Sequence, residues 1–288
     1  MAAAESAAMD FRLYRYDPSV AAAVIFVFFY LLMSAIHTYQ AIRTRTWFII
    51  PFVVGGHLQW IGYIGRAISG TEAPDFSLSP YILQTMLLLI APTLYAATIY
   101  MELGRIVLLT NGEVHCFIPR KWLTKIFLLG DIISFVMQGA GGGIMASGGL
   151  DALKNGEHII VGGLVVQLLF FSLFVITSVK FHRALRSGGN SGRSLKLTSS
   201  PWERHMHALY AGSALIFVRS LFRLIEYAQG NDGYLVSHEV YLYLFDAVLM
   251  VAVMGVFAWV HPSEINALLH PGGTAAERVF WMKMDSVA

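Results

Sequence analysis

Seven stretches of this sequence stay apolar for about 20 residues or longer, the length a helix needs to cross the ~30 Å hydrocarbon core of a bilayer. Read on that length, they lie at about 19–42, 47–68, 80–109, 125–146, 158–181, 205–228 and 238–260. The connections between them are short, and most carry breakers or charge, as in Gly70-Thr71-Glu72-Ala73-Pro74-Asp75. Charged residues make up only 13% of the chain, about half the roughly 25% of a soluble domain. A surface so poor in charge has lipid, not water, as its main solvent. The pattern predicts an all-α polytopic membrane protein with seven transmembrane helices. Residues 1–18 form an N-terminal segment, 19–260 the helical domain and 261–288 a tail.

Local signals refine this reading. Met1–Pro18 carries Asp10, Arg12, Arg15 and Asp17 directly before the first apolar run. That run exceeds the ~7–15 residues of a signal peptide, and no small-residue cleavage site follows, so it is expected to be a retained first span. Pro51 and Pro80 sit near helix starts, where a missing N–H costs little. Pro92 lies inside the third span and predicts a kink there. The third span reads as the longest, which predicts a tilt or an extension beyond the bilayer. In the tail, Thr274 and Glu277 have capping-box spacing, followed by Phe280, Trp281 and Met284, so a short interfacial helix and a loose tail are both open. The lone Cys116 excludes an internal disulfide.

Orientation follows from the basic residues. Of the 20 Lys and Arg residues, 14 fall on one side: Arg43 and Arg45; Arg105, Arg120, Lys121 and Lys125; Lys180, Arg183, Arg186, Arg193, Lys196 and Arg204; Arg278 and Lys283. The other side carries only Arg12, Arg15 and Lys154. This asymmetry places the N-terminus outside and the C-terminus in the cytosol.

An ionisable group in mid-helix costs roughly 2.5–3.5 kcal/mol on insertion scales, so such groups face the protein interior and seek partners. Here they fall into helical register. Gln59, Tyr63 and Arg66 in the second span, Arg219, Arg223 and Glu226 in the sixth, and Glu239, Tyr243 and Asp246 in the seventh each share one face. All three stripes lie in the outer halves of their helices, and they are expected to converge on one polar site. Such a site either binds a ligand or serves only as an ion-pair network that locks the helices together. The fourth span carries Asp131, Ser134 and Gln138 on one face, then the glycine-rich run Gly139–Gly143. Asp131 is expected to meet Glu102 or Arg105. The glycines either admit a close helix approach or let the backbone line a cavity.

Several seven-helix classes are disfavoured. The seventh span has no lysine for a retinal Schiff base. D/E-R-Y and N-P-x-x-Y motifs are missing, and Glu102-Leu103-Gly104-Arg105 substitutes poorly for the first. A membrane zinc hydrolase would have to draw on His205, His207, His261 and Asp131, although these histidines are more simply interfacial.

Four stretches together resemble a known family. They are Gly62-Tyr63-Ile64-Gly65-Arg66; Ala91-Pro92 through Ala96-Ala97-Thr98-Ile99-Tyr100 with Gly104-Arg105; Asp131-Ile132-Ile133-Ser134-Phe135 through Gln138-Gly139-Ala140-Gly141-Gly142-Gly143; and Phe222-Arg223-Leu224-Ile225-Glu226 through His238-Glu239, Tyr243, Asp246 and His261-Pro262. The chain is similar to the fungal lipid-translocating exporters, the group named for resistance to aminocholesterol. That resemblance implies seven helices, a plasma or vacuolar membrane, and export of or resistance to sphingoid long-chain bases, aminosterols and similar amphiphiles. One branch of the family is linked to porphyrin uptake. The family motif contains Arg66, Asp131, Gln138, Arg223, Glu226, Glu239 and Asp246. Gln59 departs from it, since the family usually has a glutamate there, and this puts proton coupling through that position in doubt.

The resulting expectation is a plasma-membrane or vacuolar transporter of amphiphilic lipids. It is not an enzyme, it uses no cofactor or metal, and its partners are lipids and a small amphiphile, not nucleic acid. The candidate ligand-binding residues are Gln59, Tyr63, Arg66, Asp131, Gln138, Arg219, Arg223, Glu226, Glu239, Tyr243 and Asp246. The alternative is a seven-helix receptor or regulator of lipid asymmetry that transports nothing itself.

Overall fold

The computed structural model describes residues 13–116, 118–146, 150–187, 202–230 and 233–270. The tail segment around Thr274–Met284 and the loop residues Arg193 and Lys196 lie outside this set. Seven helices are long and apolar enough to cross a membrane. They are α1 (Val20–Thr44), α2 (Ile50–Thr71), α3 (Leu78–Leu109), α4 (Arg120–Ala146), α5 (Leu150–Ser187), α6 (Trp202–Ala228) and α7 (239–259). A short helix, α8 (Ser263–Leu269), follows the last of them. Among the described residues there is no strand.

Each helix packs antiparallel against the next, and α7 returns to α1, closing a ring. The helix α3 is the most buried of the seven. It touches α2, α4, α6 and α8. Large apolar side chains such as Phe28, Leu169 and Val240 stay exposed on the outer surface, as they must where the surrounding solvent is lipid. The ends of the bundle are named below by the chain: the amino face carries the start of α1, and the carboxy face carries α8.

The longest helix is α5, with 38 residues against 32 in α3. Hydropathy alone hides this because the first turns of α5 hold Asp151, Lys154, Asn155 and Glu157. These polar residues end the apolar run but do not break the helix, and Asp151, Lys154 and Asn155 face outward. At about 1.5 Å per residue the helix is about 57 Å long, so it projects beyond the hydrocarbon core. The extension gives α4 a full-length partner. Gly141 on α4 meets Gly156 on α5 so closely that a Cβ on Gly141 would sit 2.6 Å from the Gly156 carbonyl oxygen. The glycine run thus serves close helix packing at Gly141, whereas Gly139 and Gly143 have open space beside them.

Two irregularities shape the interior. Pro92 lacks the N–H that would bond the carbonyl of Leu88, four residues earlier in α3. In α7, residues Tyr243–Ala247 form a π turn between the α-helical pieces Glu239–Leu242 and Val248–Trp259. Such turns are rare and recur at functional sites. This one contains both Tyr243 and Asp246.

Cys116 lies between α3 and α4, half-buried, and its backbone N–H bonds Glu113. Burial, and next the nearby Glu113 charge, push its thiol up to about 11. The orientation expected from the basic residues would put this loop in the cytosol. A membrane-impermeant maleimide is therefore expected to label Cys116 only after permeabilisation. Because the thiolate is the reactive form, labelling should rise about tenfold per pH unit below that value. Labelling in intact cells would reverse the orientation.

Candidate functional site

Arg66, near the amino-face end of α2, is fully buried. Its Nη2 donates to Glu239 Oε1 at 2.7 Å and to the Tyr16 hydroxyl at 2.8 Å, and its Nε donates to the Tyr243 hydroxyl at 3.0 Å. The rings of Tyr14, Tyr16 and Tyr243 surround the guanidinium at 5.2–5.9 Å, within cation–π range. Glu239 also accepts the Ser19 backbone N–H with both oxygens, at 2.9 and 3.1 Å. One carboxylate thus ties the start of α1 to α2 and α7. The Leu13–Ser19 segment is held across the amino face by these bonds and by Tyr14, whose hydroxyl donates to Gln84 Oε1 at 2.8 Å. Burial raises the pKa of both Tyr14 and Tyr16, so both remain hydroxyl donors.

Deeper in the membrane, Arg219 on α6 is fully buried. Its Nε donates to Asp246 Oδ1 at 3.0 Å, and its Nη2 donates to the Leu88 carbonyl at 3.1 Å. The Leu88 carbonyl is the one that Pro92 leaves without its helical partner. The proline and the arginine therefore form one unit: the first frees an acceptor, and the second uses it to join α6 to α3. One turn along α6, Arg223 Nη1 donates to Glu226 Oε2 at 2.7 Å, and the Tyr227 ring lies 5.2 Å from its guanidinium.

Part of this network borders a cavity of about 120 Å3 on the amino face; Arg219, Glu239 and Tyr243 stand behind its wall. Arg66, Arg223, Glu226 and Asp246 line it, together with Glu157, Tyr81 and Gln84. Three buried polar atoms of lining residues have no hydrogen-bond partner: Asp246 Oδ2, Arg66 Nη1 and Arg223 Nε. A buried polar atom without a partner costs about 1–3 kcal/mol. Such a concentration at one cavity leaves acceptors and donors available to a polar ligand.

Other candidates lie elsewhere. Tyr63 is buried in an aromatic stack with Tyr30 and Phe26, at ring distances of 5.5 and 5.7 Å. Gln59 is buried one turn below it, with Nε2 unpartnered. Neither residue lines the cavity. Asp131 and Gln138 lie at the α3–α4–α5 junction. Asp131 Oδ2 accepts from the Tyr100 hydroxyl at 2.9 Å, not from Arg105, and Glu102 is not its neighbour in this bond network. Arg105 instead donates to Asn266 at 3.0 Å, and Glu102 contacts His205. Gln138 Nε2 donates to Ser134 Oγ at 2.7 Å, which in turn donates to the Gly163 carbonyl at 2.7 Å. His205 and His261, read from sequence as interfacial, are buried. Among the described residues no group of three or more His, Cys, Asp or Glu is arranged to hold a metal.

Tyr14, Tyr16, Tyr81, Gln84 and Glu157 belong to the site and carry little sequence signal. The tyrosines of the N-terminal segment precede the first described helix, and Glu157 lies in the polar start of α5.

The family model described as "RTA1 like protein" matches residues 52–267, from the start of α2 into α8. The chain belongs to the RTA1-like family. It is 35% identical over 283 residues to protoporphyrin uptake protein 1 of Saccharomyces cerevisiae, covering 86% of this chain and 91% of that protein. It is 32% identical over 277 residues to protein RTA1 of the same species, covering 88% and 85%. Its identity to the S. cerevisiae sphingoid long-chain base transporter RSB1 is 26% over 262 residues, covering 80% and 68%. No solved structure matches the chain. The span shared with the RTA1-like family includes every charged residue that lines the cavity from α2, α5, α6 and α7.

Removing one partner of a buried ion pair leaves the other charge uncompensated and costs about 3–5 kcal/mol. Arg219→Leu is expected to destabilise the protein by that amount, read from thermal unfolding in detergent by tryptophan fluorescence. The double variant Arg219→Leu/Asp246→Leu should lose less than the sum of its singles. An additive double variant would mean that the pair is not coupled.

Proposed function

We propose that this RTA1-like chain is a membrane transporter of amphiphiles with a cationic polar head, with sphingoid long-chain bases or aminosterols as its substrates. The observation that carries this reading is Asp246. It is buried at the cavity, and one carboxylate oxygen is committed to Arg219 while the other has no partner. A protonated amine would complete it. Glu157 and Glu226 line the same cavity, where three carboxylates face three arginines, Arg15, Arg66 and Arg223. The rings of Tyr81 and Tyr227, also in the lining, offer π faces to a cation. Glu239 has a different role, because its two oxygens are already held by Arg66 and the Ser19 N–H. It fastens the wall of the site and does not receive the amine.

Volume supports a head-group site. A volume of about 120 Å3 is well above the roughly 10–15 Å3 that one water needs on the same measure, room for an amine and adjacent hydroxyls. The tail would lie along the apolar outer faces of the helices, where lipid already covers exposed Phe, Leu and Ile. With the N-terminus outside, the cavity opens toward the outer leaflet of a plasma or vacuolar membrane. The similarity to a named sphingoid long-chain base transporter supports the substrate class.

The test is movement of a fluorescent long-chain base across proteoliposomes. Wild-type protein is expected to exceed empty vesicles clearly. Asp246→Asn and Glu226→Gln, each eluting as a folded species, should lose at least about tenfold of that rate, the worth of about 1.4 kcal/mol of head-group binding. Binding of the base without movement in any variant would instead support a receptor or regulator.

A further inference from the structure

The carboxy face holds a second buried polar cluster, at the other end of the bundle from the cavity. Glu102 on α3 and His205 on α6 are fully buried, and Glu264 on α8 is nearly so. His205 lies between the two carboxylates: its Nδ1 is 3.0 Å from Glu102 Oε1, and its Nε2 is 3.3 Å from Glu264 Oε2. Glu264 Oε1 accepts from Arg204 at 2.6 Å, and the Arg204 side chain is half exposed. Glu102 Oε2 is buried without a hydrogen-bond partner. The other titratable groups packed around the cluster are Arg105 on α3, His261 ahead of α8, and His37 on α1, whose ring lies 6.4 Å from that of His261.

Proton counting shows what this arrangement requires. Each N···O contact needs one hydrogen between its atoms. A neutral imidazole has one N–H, and an ionised carboxylate has none to give. Two hydrogen bonds through one histidine therefore need a proton beyond the neutral ring. Either the ring is an imidazolium between two carboxylates, or the ring is neutral and one carboxyl is protonated. In both forms the three groups carry a net charge of −1, which Arg204 balances. Loss of that proton to water leaves the three groups at −2 and sets a ring lone pair against a carboxylate oxygen. Both consequences are costly where water is excluded. The contact at Glu264 opens first, because Glu264 is the one of the three with some exposure and its neighbour Arg204 reaches solvent.

The cluster and the cavity share a helix pair. Glu102 meets His205, and the Leu88 carbonyl meets Arg219, so α3 and α6 are clasped at two levels. The levels are separated by the same number of residues on each antiparallel helix, about 21 Å at 1.5 Å per residue. A change at one clasp therefore acts on the rigid elements that hold the other.

We propose that Glu102, His205 and Glu264 form a proton-binding site on the carboxy face that couples movement of substrate at the amino-face cavity to a pH gradient. This inference rests on the transporter reading of that cavity. It also places coupling away from Gln59, which cannot ionise.

The experiment uses the full chain in proteoliposomes that enclose a pH-sensitive dye, with a fluorescent long-chain base outside. Glu102→Gln keeps the side-chain volume and a bond to His205 but cannot take a proton; Glu264→Gln is the second variant. For wild type, a one-unit pH gradient is expected to shift steady-state accumulation up to about tenfold, the worth of one proton per substrate, with a matching dye signal. Both variants should retain movement down a substrate gradient and lose both responses. Wild-type accumulation that ignores the pH gradient overturns the proposal, as does a response that survives in both variants. If wild type moves no base under any condition, the transporter reading has failed, and the site is then judged by binding alone. Infrared difference spectra of the purified protein between about pH 5 and about pH 8, the range in which histidine ordinarily titrates, should show a titrating carboxyl or imidazolium band that Glu102→Gln abolishes. A spectrum unchanged by Glu102→Gln overturns the site.

Discussion

A guanidinium keeps its charge at any accessible pH, and a charge within a bilayer must find a partner or a water-filled space. Arg66, Arg219 and Arg223 all lie in the interior of this bundle, so the positions of the surrounding helices follow from where their partners stand. Arg66 draws α7 to α2 through Glu239 and fixes the start of α1 through the same carboxylate. Arg219 draws α7 to α6 through Asp246, and α3 to α6 through the carbonyl that Pro92 releases. Apolar side chains alone could not choose among helix arrangements in lipid, because lipid tails are as apolar as leucine. The ion pairs and small-residue contacts, such as Gly141 against Gly156, supply that choice.

The same pairing leaves an imbalance that gives the interior its chemistry. Glu239 is saturated, whereas Asp246 keeps one bare oxygen beside a cavity. A group can thus be structural through one oxygen and available through the other, which bridges the two readings of the polar stripes. At the carboxy face, His205 uses both ring nitrogens and requires a proton to do so. The two polar levels lie on the same two helices, α3 and α6, and residues between them, including Tyr95 and Ile99, are buried.

The seven spans were legible in the sequence because each bilayer crossing demands about 20 apolar residues. The stripes on α2 and α6 were legible because an α-helix repeats every 3.6 residues. Three features were not. The π turn at Tyr243–Ala247 changes the helical repeat without altering composition. The N-terminal segment has no periodicity, so nothing announced that Tyr14 and Tyr16 would cover Arg66. Glu264 stands beyond the last apolar run, in what reads as a tail, and only the docking of α8 on α3 brings it to His205. Asp131 was visible as a buried charge, but its partner was a tyrosine hydroxyl on α3 and not a second charge. Pattern alone does not rank those choices.

Asp246 is the proposed receptor for the head of an amphiphile. The most direct measurement is an experimental structure of the protein in a lipid nanodisc, solved with a long-chain base at saturating concentration. Density for the amine is expected within about 3 Å of Asp246 Oδ2, hydrogen-bond distance for a charged pair, with the tail leaving the cavity between helices. An occupied site away from Asp246, with the cavity empty, would contradict it.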